Sequence, residues 1–159
     1  MSLKNKIVIG EITKRNGNRM SEQKPSPKSR YEQGYFPTQN SSSYQGDKPP
    51  IYRSSLELRF MKWIETSSVT SWDSEPFAIV YAKIVDGVKK QGNYYIDFVM
   101  TLNGKEFLVE VKPFAQTKKG GRDWEINKRK WNSAIEYCNK NGKKFIIVTE
   151  NFPPLKNIK

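Results

Sequence analysis

The sequence predicts an α/β fold in which helices flank a mixed central sheet and an extended arm precedes both. Three observations carry this. Apolar residues recur at helical spacing over 53–65 and 123–140. Short β-rich runs lie between and after them, punctuated by Asp-Gly and Asn-Gly. The first fifty residues are poor in apolar side chains.

The arm, residues 1–50, has little to bury beyond Ile7-Val8-Ile9 and a few aromatics, and Pro25, Pro27, Pro37, Pro49 and Pro50 punctuate it. Such a composition does not offset the entropy of ordering the chain. The arm is therefore expected to order only by docking, on a neighbouring chain of an assembly or, alternatively, around its own domain. Residues 51–159 are long enough for one domain with its own core.

The first core helix is expected over 53–65. Ser54 suits the N-cap, Glu57 completes a capping-box pattern, and Leu56, Phe60, Trp63 and Ile64 share a face. Residues 76–85 read as a strand, and Asp86-Gly87 as a hairpin turn. A second strand is expected over 94–100, a turn at Asn103-Gly104, and a third strand over 106–112 that Pro113 stops. The second helix is placed over 123–140, capped by Asp123, with Trp124, Trp131, Ala134, Ile135 and Cys138 as its stripe and Asn141-Gly142 as its end. Residues 145–149 read as a buried strand, parallel to 106–112 through a right-handed crossover.

Charge and missing residue types narrow the chemistry. Lys and Arg number 28 against 16 acidic residues, a net charge of +12. A polyanion is the expected partner, with nucleic acid ahead of a membrane surface. No apolar run is long enough to span a bilayer, and the first residues lack an apolar signal core. The single cysteine, Cys138, permits no intrachain disulfide and suits a reducing compartment. With no histidine at all, Ser-His-Asp triads and His-ligated zinc are excluded. Catalysis then falls to carboxylates, lysines and hydroxyls.

One set of residues answers that description. Asp97 sits in an apolar strand, and Glu110 and Lys112, two apart on the next strand, share a face. The Asn103-Gly104 turn folds those strands together, bringing the two carboxylates close. Paired carboxylates repel, and a hard cation such as Mg²⁺ (or Mn²⁺) resolves the repulsion while suiting phosphate chemistry. Glu-x-Lys alone fits a solvated strand face equally well, and Glu57 alone fits a helix cap. Glu75 is a possible additional ligand, though it also fits a loop entering a strand. Lys118, Lys119 and Arg122 form a basic loop just after the site, and Lys128, Arg129 and Lys130 lie on the second helix. Both groups suit DNA phosphates.

Taken in order, Glu57, Asp97 and Glu110-Val111-Lys112 resemble the PD-(D/E)XK nucleases. Tyr52-Arg53-Ser54-Ser55-Leu56-Glu57, Ser74-Glu75-Pro76-Phe77, Tyr95-Ile96-Asp97-Phe98 and Val109-Glu110-Val111-Lys112-Pro113 resemble the TnsA-like endonucleases. Gln33-Gly34-Tyr35-Phe36-Pro37 and Tyr44-Gln45-Gly46-Asp47 are similar to the leader of the tailed-phage head-completion nucleases of that group. The chain departs from the pattern at Ile96, where proline is usual, and at Leu56, where an aromatic is commoner. Neither position carries chemistry. The resemblance implies a restriction-endonuclease-like fold and Mg²⁺-dependent cutting of double-stranded DNA. Glu57, Asp97 and Glu110 would be metal ligands and Lys112 the catalytic lysine. It also implies a virion protein at the head–tail junction, present in the host cytoplasm during assembly. Neck or portal proteins would be met through residues 1–50, with copies arranged in a ring. A structural neck subunit that keeps the fold without the chemistry is the alternative.

Overall fold

The computed structural model describes residues 7–14, 32–121 and 123–152. The elements in chain order are β1 (Ile12–Lys14), β2 (Gly34–Tyr35), β3 (Ile51–Tyr52), α1 (Ser55–Thr66), β4 (Val69–Ser74), β5 (Phe77–Val85), β6 (Val88–Tyr95), β7 (Phe98–Leu102), β8 (Lys105–Val111), a 3₁₀ turn (Phe114–Thr117), α2 (Trp124–Asn141) and β9 (Lys144–Val148). The main sheet has the order β4-β7-β8-β9, and a second sheet has the order β1-β5-β6. Only β8 and β9 run parallel within these sheets, joined across α2 as expected.

The two sheets are continuous through one long, bent hairpin. β4 pairs with β7 and β5 pairs with β6, all antiparallel. Between the pairs Ser74↔Phe98 and Ala78↔Tyr95, one arm carries Glu75, Pro76 and Phe77 where the other carries only Ile96 and Asp97. That extra residue acts as a bulge, which bends the ladder and re-aims side chains. The local sequence dictates the break. Pro76 has no N–H to give to a ladder, and Glu75 adopts a positive φ of 48°. The Glu75 N–H closes the gap onto the Asp97 carbonyl at 3.0 Å.

This corrects the strand expected over 94–100. Tyr94 and Tyr95 end β6, Phe98 begins β7, and Asp97 stands in the break between them. The ladder partner β4 was not anticipated. Its run Val69-Thr70-Ser71-Trp72-Asp73-Ser74 has too few apolar residues to stand out, although Val69, Trp72 and Ser74 are buried.

Alternation along the strands divides the interior into two layers. Phe107, Val109 and Val111 of β8 join Phe60, Met61, Ile64, Trp72 and Phe98 on the α1 side. Leu108 joins Ile79, Tyr94, Ile96, Trp131, Ala134 and Cys138 on the α2 side. Helix α1 begins where Ser54 Oγ accepts the Glu57 N–H at 3.1 Å. Its buried face is Phe60, Met61 and Ile64, with Leu56 and Trp63 at the margin. Helix α2 ends in a left-handed Gly142, φ 66°. Two expectations for α2 fail. Asp123 precedes the helix without a side-chain capping bond. Ile135 is 43 % exposed while Asn127, Ser133 and Tyr137 are buried instead, because the face toward the sheet is rotated from the one the apolar residues suggested.

Described parts of residues 1–50 pack on the chain's own domain. β1 adds an edge strand to β5, extended by mutual bonds between Gly10, Glu11 and Val80. Phe36 and Tyr44 pack on Trp72 with ring centroids 6.3 and 4.7 Å away. Among the described residues no helix is long and apolar enough to cross a membrane.

Candidate active site

The bend in the hairpin and the start of α1 bring the acidic residues together. Extending the β7–β8 register one pair beyond Phe98↔Val109 sets Asp97 across from Glu110. Both project to the face that Leu108 shares with α2. The edge of β8 is open there, because β7 has already ended. Asp97 fills that edge: its carboxylate accepts the Val111 N–H at 2.8 Å in place of a ladder carbonyl. Glu110 is 6 % exposed. One of its oxygens accepts the Tyr94 hydroxyl, and the other lies 3.6 Å from Lys112 Nζ. Lys112 is held just past the end of β8 by its N–H on the Val148 carbonyl, 2.9 Å.

Glu57 fills the capping role weighed for it. Its N–H completes the Ser54 cap, while its carboxylate turns back to accept the Arg53 N–H at 2.7 Å. The capping box is thus shifted by one residue, from the cap's own N–H to the preceding one. The Arg53 guanidinium stands 3.6 Å from Glu75, so Glu75 belongs to the same group of side chains.

The electrostatics follow from this crowding. Burial pushes Glu57 up to about 7; Glu75 and Glu110 add to the rise, and the Arg53 N–H and guanidinium oppose it. Asp97 is held well above the usual carboxylate range, first by burial and then by Glu110 and Glu57, against the Val111 bond. Burial also raises Glu110, opposed by Tyr94, Lys112 and Lys130. Like charges gathered away from water disfavour ionisation. A positive charge placed among them reverses that preference.

The donor set therefore suits a hard divalent cation: carboxylate oxygens, mutually repelling, with no sulfur or imidazole among them. The side chains are not gathered around a common point. Among the described residues no three acidic, His or Cys groups stand in a metal-binding arrangement. Glu57, Asp97 and Glu110 are each turned onto an internal partner.

The basic residues separate into three cases. Lys130 lies over the Tyr81 ring at 5.7 Å and is felt by Glu110, while Arg129 lines a cleft with Lys83 and Ile84. Lys128 is 47 % exposed and pairs with Glu125. Lys118 and Lys119 are exposed on the loop after the 3₁₀ turn, Lys118 over the Phe114 ring at 4.9 Å. Arg122 lies outside the described residues. Tyr94 and Arg53 were missed as site residues. Arg53 stood inside the Tyr-Arg-Ser-Ser-x-Glu motif, which was signal enough. Nothing in sequence marks Tyr94, because its contact exists only where β6 passes β8.

Two comparisons with known proteins give matches. The model of the TnsA-like endonuclease N-terminal family matches residues 66–150, which hold Asp97, Glu110 and Lys112. The head completion nuclease of Enterobacteria phage T4 is 30 % identical over 138 residues, spanning 74 % of this chain and 91 % of the relative. No solved structure gives a significant match. The family model covers more than half of the chain, and the chain belongs to the TnsA-like endonucleases.

Proposed function

We propose that the chain is a divalent-cation-dependent DNA endonuclease that serves head completion in a tailed phage, acting on DNA at the portal or neck vertex after packaging. The observation that carries this is the set of buried carboxylates beside one lysine at the bend of the hairpin. The similarity to a head completion nuclease supports the setting.

Glu57, Asp97 and Glu110 would hold Mg²⁺ or Mn²⁺, with Glu75 beside them and its charge countered by Arg53. Such an ion, when bound, polarises a phosphoryl oxygen and lowers the pKa of a neighbouring water. The Lys112 ammonium then donates to the attacking water or to the phosphoryl oxygens, where negative charge develops. Its 3.6 Å approach to Glu110 sets its position. Asp97 and Tyr94 keep the sheet edge and Glu110 in register. Lys118, Lys119, Arg122, Lys128, Arg129 and Lys130 track the duplex backbone, a contact that gives affinity and salt dependence without sequence preference. Contacts with neck or portal proteins through residues 1–50, ring assembly, and residence at the head–tail junction extend the same reading.

The test is incubation of the purified protein with linear and supercoiled duplex DNA, with Mg²⁺ or Mn²⁺ and then with EDTA. Cleavage that requires the cation and is lost in both Asp97→Ala and Lys112→Ala is the expected result. Cleavage surviving both substitutions overturns the assignment. The alternative of a non-catalytic neck subunit draws on the internal partners that the carboxylates hold; it expects no cleavage with either cation and a fixed copy number in purified particles.

A further inference from the structure

We propose that the projecting end of the β5–β6 hairpin is a second DNA-binding element, a basic two-stranded ribbon that enters a groove of the duplex beside the active site. The inference rests on the DNA nuclease reading above and adds an element that reading does not use.

The ribbon is defined by its pairing. Among the described residues, β1 covers β5 at Phe77–Ile79, with bonds reaching Val80. Beyond that point the hairpin continues as two strands to the Asp86-Gly87 turn, both residues at positive φ. Tyr81 and Asp86 are five positions apart, a reach of about 16 Å at the rise of a strand. The major groove is about 8.5 Å deep and admits a two-stranded ribbon.

The side chains along the ribbon suit a polyanion. Lys83 pairs with Lys90 across the two strands, so both ammonium groups stand on one face. Like charges directly opposite destabilise a ladder, and among the described residues neither forms an ion pair. This face is the one that carries Tyr81, two residues before Lys83, toward α2. The Lys130 ammonium lies over Tyr81 at 5.7 Å and reaches Glu110 electrostatically. Lys83 shares a cleft with Arg129. The cations thus run from Glu110 through Lys130 to Lys83 and Lys90 on one side of the molecule. Of the acids on this side, Asp86 stands at the turn itself, and Glu125, which lines the cleft with Lys83, is engaged by Lys128 at 3.5 Å. On the opposite face Lys89 pairs with Ile84. Ile84 on that face and Val88 on the lysine face, 46 % and 56 % exposed, give the tip apolar side chains, of the kind that contact thymine methyl groups in the major groove. Ile84, Val85 and Val88 are split between the two faces among Lys83, Lys89 and Lys90 and make a poor protein-docking patch, whereas phosphates match the charge.

The experiment measures binding of a labelled duplex in EDTA, which keeps the DNA intact, over a series of salt concentrations. The proteins are the full-length wild type, Lys83→Gln/Lys90→Gln, Lys83→Arg/Lys90→Arg and Lys118→Gln/Lys119→Gln. If each ribbon lysine neutralises one phosphate, the glutamine pair lowers the salt slope by about 1.8 and the affinity by about 60-fold at 0.1 M salt. The arginine pair retains binding. A glutamine pair that binds within about twofold of a DNA-binding wild type, with the same slope, overturns the ribbon and leaves the nuclease reading standing. So does an arginine pair that loses binding as the glutamine pair does, since charge is then not the cause. A wild type that neither binds nor cleaves duplex DNA sinks both readings, and loss confined to Lys118→Gln/Lys119→Gln transfers the binding to the loop.

Discussion

Glu57→Gln separates the electrostatic cost of the site from its chemistry. Glutamine keeps an oxygen able to accept the Arg53 N–H that Glu57 accepts at 2.7 Å, so the start of α1 is retained. What changes is the charge. The folded chain holds Glu57 at about 7 against an ordinary 4.5. A carboxyl raised in this way contributes stability that is full below its unfolded pKa and is lost as pH rises through the folded one. Between pH 5 and pH 8 this one group costs the folded wild type about 2.5 kcal/mol. Asp97 and Glu110, raised by the same burial, add to the loss in the same direction. In EDTA, urea unfolding at the two pH values is expected to show the wild type losing stability toward pH 8. The variant should lose less by about 2 kcal/mol, with cleavage in Mg²⁺ abolished. Equal pH dependence in both proteins, or a variant less stable at pH 8 by as much as at pH 5, refutes the reasoning that burial of Glu57 outweighs its Arg53 contacts.

Lys112→Ala is expected to lower the cleavage rate by about a hundredfold or more while the urea midpoint shifts little, because the side chain is partly solvated; a rate within tenfold of wild type counts against its catalytic role. Tyr94→Phe removes the hydroxyl donated to Glu110 and is expected to destabilise the chain by about 1.5–3 kcal/mol, as urea unfolding at pH 8 will read. Trp72→Ala empties the contact among Phe36, Tyr44 and Phe98 and is expected to cost about 3–5 kcal/mol. Proteolysis within 32–50, the segment that Trp72 anchors, should rise in that variant, and an unchanged cleavage pattern would show that the segment is held by something else.

Local rules carried a large share of the architecture. Ser54 and Gly142 ended the helices where the sequence placed them, because caps act within a few residues. Asp86-Gly87 and Asn103-Gly104 made their turns for the same reason. The two-residue period of a strand was enough to put Glu110 and Lys112 on one face. Longer-range pairing decided the rest. β4 became a strand because β7 offered it a ladder and Trp72 a place in the core, neither of which its own composition announces. Asp97 read as a strand residue, yet it stands in a break created by Pro76, some twenty positions earlier, on the opposite arm. That bend is what leaves the Val111 N–H for Asp97 and carries Tyr94 to Glu110. The four acidic and basic site residues are therefore legible in the chain as types at spacings. Their burial, their mutual repulsion and their internal hydrogen bonds exist only once two arms of a hairpin and a helix start are brought to the same point, because desolvation and Coulomb forces depend on distance in space and not along the backbone.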